Sequence, residues 1–172
     1  MHTRRGVVGL MLLAPLVSAG CGWEPLYADR ESGPADTELQ AIRVDPIPER
    51  IGQRLELALR RSLNPDGVAA TRRYVLHTTL VVTRQDLGIQ SQGLGTLGRV
   101  DVHATFTLTD VKTNATVLTS ASHVFDTFDI VSNEYATVVA EEDARNRTVE
   151  EFRRDMVTKL TLFMQRRVAG AA

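Results

Sequence analysis

Arg99-Val100-Asp101-Val102-His103-Ala104-Thr105-Phe106-Thr107-Leu108-Thr109-Asp110-Val111 alternates apolar and polar residues over most of its length. A β-strand turns successive side chains to opposite faces. Val100, Val102, Ala104, Phe106 and Leu108 therefore share one face, and Asp101, His103, Thr105, Thr107 and Thr109 the other. The first face needs cover and the second tolerates water. A sheet covered by helices on one side meets both demands.

The same alternation recurs on both sides of this strand. In Arg73 to Gln85, Tyr74, Leu76, Leu80 and Val82 fall on one face with Thr78 among them, and Val75, His77, Thr79, Val81 and Thr83 on the other. Between the two strands, Asp86 to Gly98 holds Gly88, Gly93, Gly95 and Gly98 and reads as a long hairpin loop. Its Gly93-x-Gly95-x-x-Gly98 spacing has the form of a dinucleotide fingerprint. A strand follows it, however, so no helix N-terminus is there to hold a pyrophosphate. Downstream, Lys112-Thr113-Asn114-Ala115 is a turn and Thr116 to Phe128 the next strand. Its less regular alternation predicts a bulge or an edge.

The cover comes from two stretches of helical period. Ile51, Leu55, Leu59 and Leu63 fall four apart, and Asn64-Pro65-Asp66-Gly67 stops the helix they define. Pro48 suits its first turn. A second helix is capped by Ser132 or Asn133 and runs to about Arg167, roughly 50 Å at about 1.5 Å per residue. Its apolar stripe passes from Ala136, Ala140 and Ala144 to Val149, Phe152, Met156, Leu160 and Phe163. Leu39 to Ile47 supplies a short first strand. The expected fold is α+β: two helices packed on one face of a four-stranded, mostly antiparallel sheet, in the order β-α-β-β-β-α, as a single domain over residues 39–168.

Ahead of this domain the chain has the three parts of an export signal. His2, Arg4 and Arg5 form a basic start, and Val7 to Val17 is an apolar run shorter than the ~20 residues of a spanning helix. Ser18, Ala19 and Gly20 then lead into Cys21, the one cysteine of the chain. This junction resembles a bacterial lipobox, with Ser18 at a position usually held by Leu. The resemblance implies removal of residues 1–20 and acylation of Cys21, palmitate being a typical chain. Each buried CH₂ contributes about 0.8 kcal/mol, and two chains or more give stable anchoring. Gly22 in place of Asp after the cysteine implies, by analogy with enteric bacteria, the outer membrane. Residues 21–38, rich in turn formers, read as a lipidated tether. Trp23 and Tyr27 within it suit either a membrane interface or docking on a protein surface.

Without residues 1–20, the chain has 18 basic against 21 acidic residues, a balance with no pull toward nucleic acid. Once Cys21 is acylated no thiol remains, so stability rests on packing. Of the 20 basic residues, all but Lys112 and Lys159 are Arg, whose fork matches phosphate and carboxylate oxygens. A GC-rich codon bias accounts for that excess equally well.

Few residues carry chemistry. His77, His103 and His123 sit on three successive strands, where scattered histidines are the usual case, and no carboxylate has convincing metal-ligand spacing. Glu141, Glu142 and Asp143 point in different directions on a helix and read as a solvated face. No Gly-x-Ser-x-Gly elbow is present. No enzyme activity, cofactor or metal is expected. Arg84 closes one strand and Arg99 opens the next, at one end of the sheet, while Arg72, Arg73 and Lys112 lie toward the other. Either group can contact phosphate or serve as ordinary strand-end charge.

Cys21-Gly22-Trp23-Glu24-Pro25-Leu26-Tyr27 resembles the mature start of the LPS-assembly lipoprotein family (LptE). The similarity continues through Ile42-x-Val44, Arg50-Ile51-Gly52-Gln53-x-Leu55 and Tyr74-x-Leu76. It resumes at Arg99, at Leu108-Thr109-Asp110, at Tyr135-Ala136 and at Ala140-Glu141-Glu142-Asp143-Ala144. Ser122-His123-Val124-Phe125 departs from the family's Ser-Tyr-Asn. The resemblance implies a non-catalytic lipoprotein of the outer membrane, facing the periplasm. Such a protein plugs and helps assemble the LptD β-barrel translocon and takes part in lipopolysaccharide binding and insertion into the outer leaflet. It makes Arg99 and Arg84 candidate contacts to lipopolysaccharide phosphates. An auxiliary lipoprotein of an ABC-type lipid transport system is the alternative.

Overall fold

In a computed structural model, residues 33–67, 69–89 and 95–170 are described. They include three α-helices, α1 (Pro34–Gln40), α2 (Glu49–Leu63) and α3 (Glu134–Ala169), and four strands. These are β1 (Ile42–Val44), β2 (Tyr74–Ile89), β3 (Gly95–Asp110) and β4 (Thr116–Asp129). The strands form one sheet in the order β1-β2-β3-β4. β1 runs parallel to β2, and the other pairs are antiparallel.

The alternation of β3 is realised in full on its inner face. Val100, Val102, Ala104, Phe106 and Leu108 are buried, as are Tyr74, Leu76 and Thr78 of β2. Ile51, Leu55, Leu59 and Leu63 of α2 meet them from above, and Val149, Phe152, Met156, Leu160 and Met164 of α3 complete the core. Met164 takes the buried place expected of Phe163, which is only partly covered; the large residues thus continue at steps of four from Phe152. Asn133 caps α3, its Oδ1 accepting the Ala136 N–H at 3.3 Å.

Three elements differ from expectation. Residues 39–47 are not one strand: Leu39 ends up buried on α1, and only Ile42–Val44 pairs with β2. Pro34 sits in the first turn of α1, where its missing N–H costs nothing, and Asp36 Oδ2 accepts the Gly33 N–H. The described residues therefore hold three helices, and the first takes in residues 34–38 of the segment read as a tether. Pro48 caps α2 from outside the helix. Finally, much of the glycine-rich stretch is strand: β2 reaches Ile89 and β3 begins at Gly95.

Gly98 explains part of that last difference. It pairs with Phe128 across β3 and β4, and the Phe128 ring occupies the space that a side chain at 98 would need. The glycine there makes room for a ring and marks no turn. Asn114, at φ 55, supplies the left-handed residue of the β3–β4 turn, a conformation Asn tolerates. The irregularity expected of β4 is found as a register shift at Leu108/Thr109, and β4 is also an edge.

That edge is partly occupied. Ile130 N–H donates to Thr96 O toward β3, so by alternation the odd residues of β4 turn their backbone groups to the free rim. Lys159 Nζ on α3 donates to Ala121 O at 2.9 Å, and Arg147 Nη2 to Thr127 O at 3.4 Å.

Candidate functional site

Arg84 and Arg99 lie at the same end of the sheet but on opposite faces. Arg84 pairs in register with Val100, an inner-face residue, while Arg99 pairs with Gln85 and Thr127 on the face without helices. Arg84 reaches Glu141 of α3 at 3.2 Å and Asp86 at 3.0 Å, and its guanidinium lies 5.6 Å from the centre of the Phe128 ring. It is a link between sheet and helix.

Arg99 belongs to a cluster on the open face. Its guanidinium stacks 4.1 Å from the centre of the Phe125 ring, and Nη2 donates to Asp101 Oδ1 at 2.7 Å. The same oxygen meets His123 Nε2 at 3.0 Å. His123 in turn stacks on His103, its register partner, with ring centres 4.1 Å apart and planes within 4°. By the alternation above this is a non-hydrogen-bonded pair, the kind in which side chains approach most closely. Asp101 is buried despite facing outward. The hydrogen bond from His123, then Arg99, holds its carboxyl below the usual value against the opposing effect of burial. Arg99 Nε is buried without a hydrogen-bond partner, so the cluster keeps one strong donor unspent.

Around the cluster the open face carries Thr79, Thr83, Thr105 and Thr119, with Val81 and Phe125 exposed among them. His77 lies on this face too, but pairs with Thr107, four residues along β2 from the Val81–His103 pair. The three histidines do not converge, and among the described residues no group of three or more metal-ligating side chains comes together. Glu141 and Glu142 bind arginines, Arg84 and Arg145 on one and Arg54 on the other. At the far end of the sheet, Arg73 and Lys112 do come together, joined by Arg167 of α3. Cys21 and the export segment lie outside the described residues.

The sequence singled out Arg99 as a candidate but not Asp101, His123 and Phe125, which surround it. That Arg84 points the other way was missed as well. The available signal was the alternation itself: carried two residues past Val82, it puts Arg84 on the inner face, and carried one residue before Val100, it puts Arg99 on the outer.

Comparison with known proteins gives a consistent picture. No curated protein sequence matches the chain significantly. Among solved structures, a proposed lipoprotein of Caulobacter crescentus CB15 matches at TM-score 0.61 and 23% identity, over 76% of this chain and 96% of that one. A minor lipoprotein of Acinetobacter baumannii matches at TM-score 0.54 and 16% identity, over 70% and 90%. At these identities the likeness is one of fold. The family model for lipopolysaccharide-assembly LptE matches residues 39–160, from the end of α1 through most of α3. The chain is a member of the LptE family of lipopolysaccharide-assembly proteins.

Proposed function

We propose that this chain is an outer-membrane lipoprotein, held at the periplasmic face through acylated Cys21, that seats inside an LptD-type β-barrel. There it acts as plug and assembly aid and binds lipopolysaccharide bound for the outer leaflet. Its role is non-catalytic. Beyond family membership, the observation that supports this reading is the open sheet face. One side of the sheet is closed by helices, while the other presents Thr, His and Arg with no element of the described fold upon it. A barrel lumen is polar, and such a face suits it. Among the described residues no helix is long and apolar enough to cross a membrane, so attachment in this reading falls to the lipid. Arg99, whose partly exposed guanidinium stacks on Phe125 on this face, is the residue proposed to meet a lipid phosphate.

The test is affinity capture of the tagged full-length protein from solubilised outer membranes. A large β-barrel recovered in equal amount is the expected result. Recovery of an inner-membrane transport complex in its place would overturn the proposal.

A further inference from the structure

At the end of the sheet away from Arg99, elements distant in sequence converge on a cleft of about 340 Å³. Glu38 comes from α1, Arg73 and Tyr74 from the start of β2, Asp110 and Lys112 from the end of β3 and the turn after it, and Arg167 from α3. Three cations and two carboxylates could simply neutralise one another. The geometry is less even than that count.

The carboxylates form the floor. Glu38 and Asp110 side chains are 16% and 17% exposed, while those of Arg73 and Arg167 are 49% and 39% exposed. Asp110 is largely spent on its own turn: Oδ1 accepts the N–H groups of Lys112 at 2.9 Å and Thr113 at 3.3 Å. These bonds keep its carboxyl below the ordinary value, so it stays ionised as a fixed anchor. Its other oxygen holds Arg167 at 3.3 Å, and the guanidinium lies 5.4 Å from the centre of the Tyr74 ring. Glu38 positions Arg73. Lys112 has no ion pair among the described residues and is exposed. The rim offered to a ligand is therefore cationic, with two oriented arginine forks and one exposed ammonium, the donor set that phosphate oxygens take.

The chain enters the described fold through α1, next to this cleft. Eleven residues lie between Cys21 and Gly33, so the two are at most about 43 Å apart along an extended chain. We infer that the cleft formed by Arg73, Lys112 and Arg167 binds the phosphate of a bilayer lipid headgroup. The phosphate chemistry stands on the cleft alone; its assignment to a bilayer rests on the proposed anchor at Cys21.

The test uses the mature chain carrying Cys21→Ala, so that acylation does not mask weaker binding, in co-sedimentation with vesicles of phosphatidylethanolamine and phosphatidylglycerol. The expected result is salt-sensitive binding that falls at least fivefold in Lys112→Glu and in Arg167→Gln. Lys112 is an exposed turn residue, so its variant should fold, and near-native circular dichroism checks this. Equal binding by wild type and a folded Lys112→Glu overturns the inference. So does equal binding to galactolipid vesicles that lack phosphate. Amide shifts at Lys112 with inorganic phosphate, unaccompanied by vesicle binding, overturn the headgroup assignment in favour of free phosphate. Barrel capture by Lys112→Glu reports separately on the proposed function.

Discussion

The ring of Phe128 lies over Gly98, its partner across the β3–β4 ladder, so closely that a Cβ at residue 98 would stand 2.2 Å from Phe128 Cζ. Neither residue can change alone. Gly98→Ala should destabilise the protein by about 1–3 kcal/mol, the usual cost of overpacking. Phe128→Ala should cost about 3–5 kcal/mol. The double variant should cost less than the sum, because the second change removes the clash made by the first. Urea unfolding of the four proteins measures this; strict additivity would mean the contact is not tight.

Gly52 presents the same situation on a helix. A Cβ there would lie 2.6 Å from Ile47 Cγ2 and 3.0 Å from its carbonyl oxygen, which is backbone and cannot swing aside. Helix propensity alone favours Gly52→Ala by about 1 kcal/mol. The prediction is nevertheless a lower denaturation midpoint, since α2 must move away from the segment that joins it to β1. A raised midpoint would show that the segment yields.

Asp101 sets a pH dependence whose sign is fixed. Its folded carboxyl is held below the ordinary value of 3.8, first by His123 and then by Arg99. The resulting stability is present above about pH 4 and is lost as pH falls through the lower, folded value. Asp101→Asn should therefore unfold more readily than wild type at pH 6, with the gap narrowing toward pH 3. A gap constant across that range would remove the carboxylate as its cause.

Arg99 and Arg84 should separate by function, as they separate by face. Arg99→Glu should lower lipopolysaccharide affinity about tenfold or more, the loss of a hydrogen bond to a charged group, and should also lower stability, because Asp101 loses its Arg99 partner. Arg84→Ala should leave affinity near wild type and reduce stability by about 1 kcal/mol or less, through its pair with Glu141. Unchanged binding in a well-folded Arg99→Glu removes Arg99 from the site.

Cys21→Ala tests whether the anchor or the folded part holds the partner. If sheet and helices supply the plug, the variant, exported normally, still brings down the barrel. Complete loss of the barrel would place the binding in the lipid or the residues that follow it.

The sheet and its two large helices were legible because each buries a regular stripe, evens on β3 and every fourth residue on α2. Residues 33–41 were not: Leu39 is the single buried residue of α1, and one apolar position has no period. The glycine-rich stretch misled for a related reason. Gly98 is small to admit Phe128, a partner 30 positions away that local composition cannot announce. The Asp101 cluster depends on register between β3 and β4, which side-chain alternation leaves open by steps of two.

Lys159 and Arg147 bear on how this protein would sit within the barrel proposed for it. By occupying carbonyls of Ala121 and Thr127 they put helix side chains along the β4 border of the sheet. A barrel wall grows by adding strands, and a partner strand laid against β4 would first have to displace those cations. If the chain seats in a barrel as proposed, a ring of strands can enclose the sheet while its β4 border resists becoming one more of them.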